Sequence, residues 1–182
     1  MKNRNVKSIF IAACVAFVLP FTDSFAQSGH HQDTKAHEGH NMHEKQADSP
    51  TFKDEKIGVA YHHYLHLKSA LVASDAGEAK KGAEMLVASF KEIGNTTEAQ
   101  KEATKIAQAS SLEKQRETFV TLSEAMAELV EGAVSSGTVY KAYCPMANNN
   151  QGATWLSDSK EIRNPYFGDK MLKCGSLKEE LK

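Results

Sequence analysis

Between Asp54 and Gly137 apolar residues recur at spacings of three, four and seven, and this period limits the fold more than any other feature of the chain. The stretch "DEKIGVAYHHYLHLKSALVASD" puts Ile57, Tyr61, Tyr64, Leu65, Leu71 and Val72 on one stripe. Asp54 and Glu55 stand at its favourable N-terminal end, and Asp75-Ala76-Gly77 breaks it. In "GEAKKGAEMLVASFKEIGN" the apolar face is Ala79, Ala83, Leu86, Val87 and Phe90 or Ile93, with Gly94-Asn95 as the stop. "TTEAQKEATKIAQASS" carries a thinner stripe of Ala99, Ala103, Ile106 and Ala107 among good helix formers. The longest stretch, "SSLEKQRETFVTLSEAMAELVEGAVSSG", can be capped by Ser110 or Ser111 and repeats Leu112, Phe119, Leu122, Met126, Leu129 and Val130. Four helices with short connections predict an antiparallel four-helix bundle over 54–136. No strand alternation or nucleotide-binding glycine pattern interrupts them, which argues against a doubly wound sheet.

After Gly137 the character changes. "TVYKAYCPM" and "ATWLS" favour extended structure, while "ANNNQG" and "RNPYFG" are turn-rich. Tyr140, Tyr143, Trp155, Leu156, Ile162, Tyr166, Phe167 and Leu172 supply enough apolar surface to pin the segment to the helices. The expectation is a mainly α protein whose residues 137–182 form an irregular Cys/Met/aromatic cap with little or no β.

The chain opens with Lys2, Arg4 and Lys7, an apolar run from Ile9 to Phe21, and the small-x-small ending Ser24-Phe25-Ala26. Residues 1–26 therefore read as a signal peptide, the run being short of the about 20 apolar residues a membrane span needs. "IAAC" resembles a lipobox at Cys14, but the apolar residues mostly follow it, the wrong order for lipid anchoring. Export places the mature chain in an oxidising compartment such as the periplasm, without stable membrane insertion. The formal net charge of -1 gives no basic excess for nucleic acid. Residues 27–53 have almost no aliphatic side chains and read as a disordered His/Met-rich tail ahead of a folded unit over 54–182.

Three donor clusters stand out. Cys144 and Met146 form C-P-M, and Met171 and Cys174 form M-L-K-C; two thiolates and two thioethers suit Cu(I). The alternative is a Cys144–Cys174 disulfide, the ordinary fate of such a pair after export, worth about 3 kcal/mol for a loop of about 30 residues. In "YHHYLH", His62 and His66 are one helical turn apart beside the apolar stripe and can chelate one ion, whereas His63 lies more nearly opposite the stripe. Unligated boundary histidines are the plain alternative there. The tail gathers His30, His31, His37, His40, Met42 and His43, the pattern of a multivalent metal-capturing tract. No G-x-S-x-G, H-E-x-x-H, Walker loop or C-x-x-C is present, so nothing in the spacing asks for an enzyme.

The blocks "YCPMANNNQGATWLSDSKEIRNPYFGDKMLKCG" and "YHHYLHLKSALVASD" resemble the exported bacterial family called domain of unknown function 3347, over roughly Lys53 to Lys182. The resemblance implies a helical domain with an irregular C-terminal part. Such domains also occur attached to periplasmic adaptor subunits of heavy-metal efflux pumps, which implies copper or silver handling. "YCPMA" is similar to the Y-x-C-P-M-H core of small heavy-metal-binding modules and departs from it at Ala147, where the histidine would be. The resulting expectation is a non-enzymatic periplasmic protein that binds or buffers copper as Cu(I), with silver or zinc as substitutes, and passes it to an efflux component. The competing expectation is a disulfide-stapled helical interaction module that docks on an envelope or transporter partner.

Overall fold

The computed structural model describes residues 49–182. In chain order they form β1 (Thr51–Phe52), α1 (Glu55–Val72), α2 (Ala76–Ile93), α3 (Thr97–Gln108) and α4 (Leu112–Val130), then β2 (Val134–Ser136) and β3 (Val139–Cys144). The short α5 (Ala147–Asn150), β4 (Ala153–Ser157), a 3₁₀ turn at Gly168–Met171 and β5 (Ser176–Leu181) complete them.

The helices begin where side chains satisfy their free N–H groups. Asp54 accepts from the Lys56 amide, Asp75 from Glu78 and Ser111 from Lys114, each from extended backbone. Consecutive helices pack together and α4 also meets α1. Their shared core includes Tyr64, Leu67, Leu71, Leu86, Phe90, Ile106, Phe119, Leu122, Met126 and Val130, all fully buried. Each such side chain contributes about 1.5–3 kcal/mol by leaving water. α1 and α2 approach closely at Gly82, where an added Cβ would stand 2.9 Å from Leu67 Cα.

The C-terminal segment corrects the expectation of an irregular cap with little or no β. It is a three-stranded antiparallel sheet in the order β4-β3-β5, packed through β4 against α4, and a second, two-stranded sheet pairs β1 with β2. In β3 the buried positions Tyr140, Ala142 and Cys144 alternate, as a half-buried strand requires. Tyr140 pairs with Ser157 and Cys144 with Ala153. The β3–β5 ladder runs from Val139 opposite Leu181 to Tyr143 opposite Ser176, with a bulge between Lys141 and Ala142. β5 reads "SLKEEL", mostly exposed and made of helix formers; pairing with β3 overrides that local preference.

Two boundaries also move. β1 lies inside the span 27–53 assigned to the tail, so Thr51 and Phe52 belong to the fold, with Phe52 against Tyr61 at 5.2 Å between ring centroids. The last long helix ends at Val130, and residues 134–136, expected to be helical, are strand β2.

Candidate thiol and metal-binding residues

Cys144 closes β3 with its side chain in the core, and Cys174 follows the 3₁₀ turn, half-buried against the same cluster. Their sulfurs are 2.6 Å apart, two free thiols facing each other across about 30 residues of chain. Asn164 sets the position of Cys174. Its buried amide donates to the Cys174 carbonyl at 2.8 Å, and its Oδ1 accepts from the Tyr166 and Phe167 amides at 2.8 and 3.3 Å. Gly175, next in the chain, has φ +136, and a Cβ there would lie 2.7 Å from Trp155 and 2.9 Å from the Tyr143 carbonyl. No larger residue fits between them.

An aromatic chain holds this end of the sheet to the helices. Tyr64 stacks on Phe119 at 5.3 Å, Phe119 meets Tyr166 at 5.9 Å, and Tyr166 meets Trp155 edge-on at 6.1 Å. The Tyr64 hydroxyl bonds Ser123 Oγ at 2.8 Å and accepts from the Leu156 amide at 3.0 Å. Tyr166 donates to the Thr154 carbonyl at 2.5 Å. Both phenols are pushed up from their ordinary value by burial and stay neutral. The Cys174 thiol is pushed up to about 11, first by its hydrogen bond to Cys144, then by burial and by the charge Cys144 would carry. A thiolate at Cys174 is thereby disfavoured at neutral pH.

The two methionines turn elsewhere. Met146, 47% exposed, and the half-buried Met171 line a cavity of about 700 Å³ beside α4, which neither cysteine lines. Met146 immediately precedes α5, whose Asn148, Asn149 and Asn150 all have positive φ, a conformation asparagine tolerates better than most residues. The four sulfurs proposed together from sequence therefore separate into a thiol pair and a thioether groove.

On α1, His62 is exposed and His66 Nε2 lies 2.8 Å from Glu78 Oε1 on α2. Glu78 also accepts from Lys81 at 2.9 Å, and that bond, ahead of the one from His66, holds its carboxyl below the usual range. His63 does not lie opposite the core, as the wheel suggested. It is half-buried against α2, with Nδ1 2.8 Å from Ser89 Oγ, and burial followed by the charges of His62 and His66 lowers its basicity. Among the described residues no three His, Cys, Asp or Glu side chains are grouped to hold a metal ion. His30, His31, His37, His40, Met42 and His43 lie outside the described residues, as does Cys14.

The segment that carries these histidines and the bundle is the one that matches a known family. Residues 60–137 match the model of the family described as Protein of unknown function (DUF3347). The DUF3347 match runs from α1 into β2, so it is shorter than the resemblance drawn from Lys53 to Lys182. It includes His62, His63 and His66 and stops before Cys144, Met146, Met171 and Cys174. No curated protein and no solved structure matches the chain. No helix among the described residues is long and apolar enough to cross a membrane.

The sequence reading missed three residues. Asn164 and Gly175 sit inside the N-P-Y-F-G and M-L-K-C-G blocks it had marked, so a signal existed without a role attached. Lys68 shares the stripe of Tyr61 and Tyr64 and is buried, 7% exposed, with Ser157 Oγ at 3.3 Å as its hydrogen-bond partner.

Proposed function

We propose that the protein is an exported, non-enzymatic copper-handling protein. Its ions are held by the histidine-rich segment His30 to His43, and its folded domain is a scaffold closed by the Cys144–Cys174 pair. The supporting observation is the separation of the sulfurs: the cysteines pair with each other while Met146 and Met171 line a different cavity. This leaves His30, His31, His37, His40, Met42 and His43 as the densest donor set in the sequence. Neutral imidazoles suit copper and zinc, and the Met42 thioether adds a soft donor for Cu(I) or Ag(I). Such a tract loads an ion by several weak contacts and releases it readily, which fits buffering or transfer to an efflux component.

The test is Cu(I) competition against a chromogenic chelator under reducing conditions. Three chains are compared: residues 27–182, the same chain lacking 27–48, and Cys144→Ser with Cys174→Ser. Binding lost on deletion and kept in the double serine chain is the expected result. Binding that survives the deletion and disappears with the cysteines would return the site to the sheet and refute the proposal.

A second reading, a stapled interaction module that handles no metal, draws on the same thiol pairing. It predicts that none of the three chains competes for Cu(I).

A further inference from the structure

Two cavities on the outward side of α1, of about 480 and 490 Å³, share His62, Leu65 and Asp158 and so run together as one groove. It follows α1 from Glu55 to Ala73, about 27 Å at the rise of an α-helix. One end is mostly apolar, built from Pro50, Phe52 and Val59, with Glu55 also in its lining. Val59 is 46% exposed, and with Met146 it is one of two large apolar side chains left open among the described residues. At the other end stand Asp75, Glu78 and His66. No lysine or arginine lines either part. Glu55 and Asp158 make no ion pair with any described residue, while Glu78 is held by Lys81 and His66.

An apolar end followed by a carboxylate-lined one, with Lys68 and Lys81 near Asp158 and Asp75 but no lysine or arginine in the lining itself, calls for the opposite pattern in whatever covers it. We propose that this groove docks a segment of a partner polypeptide, apolar at one end and bearing lysine or arginine at the other. The apolar end would cover Val59 and Phe52, and the basic end would face Asp158 and Asp75. The protein's own residues 27–48 are a poor fit, since they bring almost no aliphatic side chain to the apolar end. The inference goes beyond metal handling and does not depend on it.

The probe is a fluorescein-labelled helical peptide of about 18 residues, about 27 Å long, with leucines in one half and lysines in the other. A matched peptide carries glutamates in place of lysines. Anisotropy is read against residues 27–182 and its variants. Binding of the lysine peptide is expected, weakened at least about ten-fold by Val59→Glu and by Asp158→Lys, with the glutamate peptide inert. Glu179→Lys, the same charge change on the sheet, leaves affinity within about two-fold. Both positions are exposed, so circular dichroism should confirm that the variants fold. Equal affinity in all variants, or binding of the glutamate peptide, overturns the proposal. It also fails if deleting 27–48 raises affinity ten-fold, because the chain's own segment would then be the occupant. A dimer in sedimentation that Val59→Glu dissociates would assign the groove to a second copy and likewise refute it.

Discussion

Reduction of the Cys144–Cys174 pair tests how the sheet is held. The thiols face each other at the ends of a 30-residue separation, linking the end of β3 to the residue before the Gly175 turn into β5. Oxidation by glutathione disulfide removes two protons and two electrons from the pair and releases two molecules of glutathione. Closing a loop of this length removes about 12 cal/mol/K from the unfolded chain, or about 3.6 kcal/mol at 25 °C. Residues 49–182 unfold with an entropy near 0.28 kcal/mol/K, from about 2.1 cal/mol/K per residue, so the oxidised protein should melt about 13 °C above the reduced one. Thermal unfolding by circular dichroism, with and without a phosphine reductant, reads the shift directly. A thiol titration on the same samples counts the sulfurs. The Cys144→Ser, Cys174→Ser chain supplies the control, since reductant should not move its midpoint. A wild-type shift below about 2 °C, or an equal shift in the serine chain, would refute the argument that this pair closes the sheet.

Other consequences follow from groups the fold has buried or crowded. Burial lowers the Lys68 pKa, with Asp158 opposing, so the unfolded chain binds the proton more readily and stability rises as pH approaches the ordinary lysine value of 10.5. Lys68→Met should therefore stabilise at pH 7 by about 1 kcal/mol in urea denaturation and flatten that rise. His63 is likewise less basic in the fold, so its contribution is present above pH 6.5 and declines as pH falls below that value. His63→Gln should reduce the difference in urea midpoint between pH 7.5 and 5.5. Gly82→Ala gains about 1 kcal/mol of helix propensity, yet its Cβ would press on the Leu67 backbone. A net loss of about 1–3 kcal/mol in the same assay is expected.

The four long helices were legible because their signals are local. Caps at Asp54, Asp75 and Ser111 act within three residues, and the stripes through Tyr61, Leu86 and Phe119 reflect contacts one or two turns apart. Boundary positions were less clear: Leu65, Leu112 and Leu129 are only half-buried, while Leu67, left off the α1 stripe, is fully enclosed by neighbouring elements. Lys68 has the phase of the buried stripe, and only the packing of neighbouring elements around α1 encloses it despite its charge. His63 was misjudged because the wheel describes one helix, and its partner Ser89 belongs to another.

For the candidate site the chain itself determined which donors exist and in what order: two cysteines, two methionines, a histidine pair one turn apart, and a tract of imidazoles before the fold. Which of them meet was decided only by tertiary structure. Cys144 and Cys174 face each other because β5 pairs with β3 and Asn164 fixes the loop between, contacts whose partners are far apart in sequence. Met146, just ahead of α5, and Met171, in the 3₁₀ turn, lie two and three residues from those cysteines yet line a different cavity. Spacing along a helix carries side-chain direction with it, because hydrogen bonds between residues four apart fix the phase. Spacing across turns and a bulged strand does not, because direction there is set by whichever distant strand supplies the ladder.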